Sequence, residues 1–263
     1  MALDHALLDD YALRSPLRKK NNKLKLALVA AALLVGVSST SPVAPLFIAL
    51  TMSFAAILLG KVPARFYLVM AAAPLSFALF GAVIILLFFG SGPEIFSLEL
   101  FGQRIGASAE GAEMAVLVVS RTISGICCLF FLATTTPMVE LFALLKGLRL
   151  PDTFVELSMM IYRYIFVFLD GAIKMRQAQV MRLGCDGFRS SVRSFSMMAG
   201  TLFLRTMDQG EKLYTAMDSR CYDGKLSLFE DKRPIKVQEL LAASTYVTFI
   251  AALSYLSRGS SIF

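Results

Sequence analysis

The chain has 263 residues, enough for one or two domains, and is 57% hydrophobic and 17% charged, with 21 Phe and no Trp. Soluble domains carry about 25% charged residues, so this balance excludes an ordinary cytosolic protein, a disordered chain and a collagen-like repeat, and marks an integral membrane protein. The net charge of +7 is met by Lys and Arg gathering on the cytoplasmic side of a bilayer-spanning chain, with no nucleic acid needed as a partner.

A single histidine, His5, argues against a His-rich metal site or a Ser-His-Asp triad. Near a terminus it reads as solvated. Cys127, Cys128, Cys185 and Cys221 show no CxxC spacing and read as free thiols. Met1–Arg14 carries Asp4, Asp9 and Asp10 before any apolar run, so no cleavable signal is expected there.

In chain order, a basic approach over residues 1–25 leads to apolar runs at 26–38, 43–59, 66–89 and 111–133, and a last one at 238–256. A helix needs about 20 residues to cross the hydrocarbon, which the third and fourth runs supply. The first two are shorter, and Ser38-Ser39-Thr40-Ser41-Pro42 between them reads as a turn. They are two thin spans or a re-entrant hairpin. Pro74 is expected to kink the third run. Arg121 lies inside the fourth, either as a structural charge satisfied by neighbouring helices or in coupling to a partner.

Arg14, Arg18, Lys19, Lys20, Lys23 and Lys25 precede the first run, and Lys61 and Arg65 follow the second. Residues 90–110 carry Glu94, Glu99 and Glu110 against Arg104. The positive-inside rule then places the N-terminus in the cytoplasm, 90–110 outside, 134–235 in the cytoplasm and the C-terminus outside. Fifteen of the 26 basic residues fall between Lys146 and Lys236, in keeping with that topology. The expected fold is all-α: a polytopic membrane protein with about five transmembrane helices, four of them within 26–133 and the last in 236–263. Residues 134–235 then form a cytoplasmic pair of long helices.

The first long helix is expected to start at Pro151, with Asp152 or Thr153 capping, and to run to about Arg182. Glu156, Arg163, Asp170 and Gln177 recur every seven residues as one narrow polar stripe on an otherwise apolar helix. A further span at 157–169 would have to carry Arg163 at its centre, so a helix along or beneath the membrane is the better reading. The second helix is expected over about Ser191–Arg220, joined to the first near 184–190.

The two helix ends resemble each other. Ala178 precedes Arg182 by four residues, with Asp186-Gly187 following; Ala216 precedes Arg220 by four, with Asp223-Gly224 following. The glycines read as terminators, and each alanine leaves space on the face of its arginine. Helix capping would explain a cation in each last turn. Docking of two exposed arginines into acidic grooves of a partner would explain them too. No P-loop exists, since Gly60-Lys61 is followed by Val62, and G-x-S-x-G and HExxH are absent. Scattered acidic residues speak against a lipid-modifying enzyme; a membrane scaffold stays open.

Six segments carry a family resemblance: Leu132–Pro137, Pro151–Leu157, Ile161–Val167, Ala178–Gly184, Leu202–Arg205 and Ala216–Arg220. Through them the chain resembles the transmembrane T-component of energy-coupling-factor (ECF) transporters, most closely the cobalt branch known as CbiQ. The resemblance is dense over about 120–226 and implies a subunit that is not an enzyme and binds no cofactor itself. Two cytoplasmic P-loop ATPase subunits would bind ATP and Mg, and a small membrane subunit would capture the substrate. That substrate would be cobalt, supporting cobalamin biosynthesis, with nickel or a vitamin as the alternative. The family's docking motifs map to Met181-Arg182-Leu183 and Ser219-Arg220-Cys221, with Ala178 and Ala216 beside them. The stripe of Glu156, Arg163, Asp170 and Gln177 maps to packing of the coupling helices. The family commonly has Ala before such an arginine and Gly after the second, so Met181, Ser219 and Cys221 depart from its pattern. ATP-driven closure of the ATPase pair would draw the arginine-tipped ends together.

Overall fold

The computed structural model describes residues 11–13, 15–88, 94–100, 103–146, 150–223 and 236–257. It divides into two compact units, one drawn from residues up to 140 and from 232 onward, the other from residues 141–231.

In the first unit a 3-10 turn at Pro16–Lys19 leads to α1 (Asn22–Ser38), whose first turn is capped by the Asn21 side chain accepting from the Lys23 N–H at 2.9 Å. After the turn at Ser39–Pro42, α2 (Val43–Phe54) starts with proline at its N-cap and continues as a π-helical turn over Ala55–Leu59. A Cβ at Gly60 would press on the Ala56 carbonyl oxygen, so the close approach that ends this turn requires glycine. Helix α3 (Ala64–Phe88) runs without a break through Pro74. Helix α4 (Ala109–Thr135) and, at the far end of the chain, α8 (Val237–Leu256) complete this unit, and a short α5 (Met138–Lys146) after α4 belongs mostly to the second.

Helices α3, α4 and α8 are long and apolar enough to cross a membrane, and α2 with its π turn is a shorter apolar helix. The chain is an all-α polytopic membrane protein, and the five apolar runs appear at the expected places. Two pieces were not expected: α5, and an antiparallel hairpin between α3 and α4 made of β1 (Glu94–Leu100) and β2 (Gln103–Ser108). Leu100 pairs with Gln103 at one end of the ladder.

Two long side chains fix how α1 lies against α4. The Lys25 ammonium donates to the Thr135 carbonyl at 3.0 Å. Arg121 donates from Nε at 3.1 Å and from a terminal nitrogen at 2.6 Å to the Ser39 carbonyl. Fourteen residues separate the anchors on each helix, about 21 Å, so α1 and α4 run antiparallel. Helix α4 continues about 18 Å past Arg121, so the α1–α2 turn lies well short of its far end. Between them Val29 and Ala32 of α1, Ile48 and Met52 of α2, Cys128 and Phe131 of α4, and Ile250 of α8 form the core. Small residues let the backbones approach: a Cβ at Gly36 would meet the Ser124 hydroxyl at 3.1 Å. Hydroxyls join helices across this core, Ser53 to Tyr67 at 2.9 Å and Thr51 to Tyr246 at 2.6 Å. By contrast α3 exposes Leu68, Val69, Phe77 and Phe80, as a helix facing hydrocarbon does.

The second unit holds two long helices, α6 (Asp152–Met181) and α7 (Phe188–Asp218). Pro151, not Asp152 or Thr153, occupies the N-cap of α6, and no side chain caps it. The Pro151 carbonyl accepts from the N–H groups of Phe154 and Val155, which leaves Asp152 inside the first turn as an acid facing the helix dipole. Phe142 of α5 stacks edge-on against Tyr162, which does the same with Phe166.

Candidate functional site

Each arginine singled out in the sequence is the residue at which a long helix stops. At the end of α6 the Leu183 N–H donates to the Val180 carbonyl at 3.0 Å, and the Gly184 N–H to the Gln179 carbonyl at 2.9 Å. At the end of α7 the Cys221 N–H donates to Asp218 at 2.9 Å and the Tyr222 N–H to Met217 at 3.1 Å. Both sets are the paired closing bonds of a Schellman motif, with Arg182 and Arg220 as C-caps. The residue after each arginine takes the left-handed conformation, φ +55° at Leu183 and +56° at Cys221.

This corrects the expected terminators. Gly187, at φ +90°, serves the N-cap of α7 instead, and Gly224 lies outside the described residues. A Schellman motif needs its left-handed residue directly after the C-cap, and neither glycine stands there. Leu183 and Cys221 therefore carry a conformation that costs an L-residue about 1 kcal/mol. Cys221→Gly is expected to stabilise the α7 end by about that amount, read as a higher thermal midpoint with helix content unchanged.

The exposed side chains at the first tip are Ala178, Met181, Arg182 and Leu183, with Met181 84% and Leu183 77% accessible. At the second, Ala216, Ser219, Arg220 and Cys221 are all exposed. The Ser219 hydroxyl turns back to the Thr215 carbonyl at 2.7 Å, so it stiffens its own helix end. The α6–α7 turn is tied down more firmly, because the Gly184 carbonyl accepts from Ser190 at 2.7 Å and from Ser194 at 2.6 Å. A Cβ on Gly184 would stand 2.9 Å from the Ser194 hydroxyl and 3.2 Å from the Gln179 carbonyl oxygen. Gly184→Ala is expected to displace Ser194 and cost about 1 kcal/mol, the worth of one hydrogen bond, measured by thermal unfolding in detergent.

The tips therefore flank one helix. Arg182 lies shortly before α7 and Arg220 just after it, and the 31 residues of α7 itself span about 46 Å.

The polar stripe on α6 is not uniform. Glu156 is 4% accessible and accepts from the Tyr222 hydroxyl at 3.3 Å, which joins the start of α6 to the residue two beyond Arg220. Arg163, Asp170 and Gln177 are exposed, and Asp170 pairs with Lys174 one turn on at 2.7 Å. Tyr222 was missed in the sequence reading; a phenol directly after the second motif was its one signal. Desolvation, then the Glu156 carboxylate and Asp223, push its pKa up. A raised phenol pKa keeps this contact intact through neutral pH and loses it only as pH rises past the ordinary tyrosine range of about 10. Among the described residues no three His, Cys, Asp or Glu side chains gather as a metal site would need.

The family model described as CbiQ, cobalt transport protein, matches residues 14–229. The chain belongs to the CbiQ cobalt transport protein family. It is 43% identical over 255 residues to the putative fused cobalt transport protein CbiMQ of Methanocorpusculum labreanum, covering 95% of this chain and 42% of that one. The chain thus spans about two fifths of that fused relative. It is 29% identical to the cobalt transport protein CbiQ of Rhodobacter capsulatus over 66% of each chain. It is also 29% identical to the energy-coupling factor transporter transmembrane protein EcfT of Thermanaerovibrio acidaminovorans, over 59% of this chain and 62% of that one. Membership in the CbiQ family makes the chain a component of a transporter, set in the membrane by its apolar helices.

Proposed function

We propose that this CbiQ-family chain is the energy-coupling transmembrane subunit of an ECF-type importer for a divalent transition metal, cobalt above nickel, that supports cobalamin biosynthesis. Two cytoplasmic P-loop ATPases bind ATP and Mg and do the hydrolysis, and a small membrane subunit holds the metal as cargo. This chain is not an enzyme and holds no cofactor. Its own work is mechanical. Residues 134–235 lie on the cytoplasmic side with the N-terminus, and the C-terminus lies outside.

The observation that carries the reading is the pair of like arginine tips on the two sides of α7. Two copies of one motif, closed by the same hydrogen bonds at the two ends of a helix about 46 Å long, suit two copies of one kind of partner. Each arginine presents a planar fork of donors that an acidic groove can hold by several directed bonds. The Glu156–Tyr222 contact braces the second tip from below. Bulky apolar side chains on the same two helices, Phe154, Leu157 and Ile161 on α6 and Phe195, Phe203 and Leu204 on α7, are exposed and suit the small membrane subunit.

The test is a tagged purification from native membranes in mild detergent. P-loop ATPases together with a small hydrophobic subunit are the expected companions, and radiocobalt uptake by the reconstituted complex should require ATP. Recovery of the chain alone, under conditions that keep other membrane complexes intact, would overturn the reading.

A further inference from the structure

The turn between α6 and α7 presents more than its arginine. Met181, Leu183 and Phe188 fall within eight residues of chain, and Phe188, 87% accessible, is as exposed as the other two. Large apolar side chains gathered on one exposed turn mark a contact surface. The backbone beneath them is fixed. The Gly184 carbonyl accepts from Ser190 and Ser194, the Ser191 hydroxyl donates to the Cys185 carbonyl at 3.1 Å, and the Asp186 N–H donates to the Leu183 carbonyl at 3.4 Å. A surface already held in shape loses little conformational entropy when a partner covers it. Arg189 and Arg193, both exposed, add cations near Arg182, and Asp186 is the one acid between Arg182 and Arg193.

The second tip is built otherwise. Ser219 and Cys221 flank Arg220 where Met181 and Leu183 flank Arg182, and an exposed acid, Asp218, stands two residues before it. Among the described residues there, Tyr222 is drawn to Glu156, and the large exposed apolar side chain is Tyr214, six residues back from Arg220.

We infer, on the docking reading proposed above, that the two tips grip their ATPases unequally. Met181, Leu183 and Phe188 enter an apolar floor of the acid-rimmed groove that takes Arg182, and Arg220 enters its own groove without such an anchor. Burial of an exposed phenylalanine corresponds to roughly tenfold or more in affinity. Apolar side chains beside arginines also suit an anionic lipid surface. A fluid surface needs no fixed turn, however, whereas a protein groove selects one shape.

The experiment uses the full chain in lipid nanodiscs, with and without the P-loop ATPases recovered in its purification. Each tip carries its own probe, since Cys185 and Cys221 are exposed while Cys127 and Cys128 are buried. Maleimide labelling rates at the two thiols are read by peptide mass spectrometry. The ATPases should slow both, and at least tenfold more at Cys185, although Cys221 is the nearer of the two to its arginine. Phe188→Ser should reduce the slowing at Cys185 to the level at Cys221 and leave the thermal midpoint of the free chain unchanged. Tyr214→Ser should leave both rates within twofold. Equal or greater slowing at Cys221, or no effect of Phe188→Ser, would overturn unequal grip and leave docking standing. Slowing at neither thiol would sink the docking reading with it. Slowing at Cys185 by the nanodisc alone, relative to detergent, would mean a membrane contact and overturn the inference as well.

Discussion

Reversing both tip charges, Arg182→Glu with Arg220→Glu, is expected to abolish co-purification of the ATPases while the chain stays inserted and folded. Removing one partner from a buried, hydrogen-bonded charge pair costs about 2–5 kcal/mol at an interface, roughly 30- to 4000-fold in affinity, and reversal adds repulsion. Because both arginines are exposed C-caps, neither is needed to hold its own unit together. Either single reversal should leave one ATPase contact and a weakened complex. A fully associated double variant would refute docking through these tips and return the arginines to helix capping.

Arg121→Leu is expected to lower the thermal midpoint in detergent by about 5–10 °C, from a loss of roughly 2–3 kcal/mol. Both its donors end on the Ser39 carbonyl, at the buried turn between α1 and α2. Removing them leaves a buried acceptor unmet and frees the turn from α4. Arg121→Lys should recover part of the loss, since an ammonium can still donate to the same oxygen. Of the two roles open from sequence, this geometry favours the structural one. ATPase binding by Arg121→Leu at low temperature should therefore be normal, and a selective loss of binding at full stability would contradict the assignment.

The spans were legible because a bilayer imposes a length and a polarity that few residues can disguise; α4 differs from the expected run 111–133 by two residues at each end. The long helix pair was legible too, from its periodicity and from the repeated Ala-x-x-x-Arg spacing at 178–182 and 216–220. What could not be read was conformation that runs against residue type. Nothing in Leu183 or Cys221 announces a left-handed backbone, and the nearby glycines drew attention to the wrong positions. The same holds for the π turn at Ala55–Leu59, since five apolar residues look alike in either kind of helix. Contacts between distant positions, Glu156 with Tyr222 or Arg121 with Ser39, belong to tertiary packing and leave no local trace. The hairpin at 94–108 was hidden by its place between spans, where a plain loop would serve equally well.

With one tip near each end of α7, the helix between them is a fixed gauge. An α-helix keeps its rise per residue under modest load, so ATPase closure on docked tips would have to act against the fixed length of α7. On the proposed docking, a stroke would turn or slide the whole strut, with each arginine as the pin of a hinge. A partner pair whose sockets came to stand nearer than the strut is long would have to release one pin. One added residue would lengthen the gauge by about 1.5 Å and rotate one pin by about 100°, so register matters more than reach.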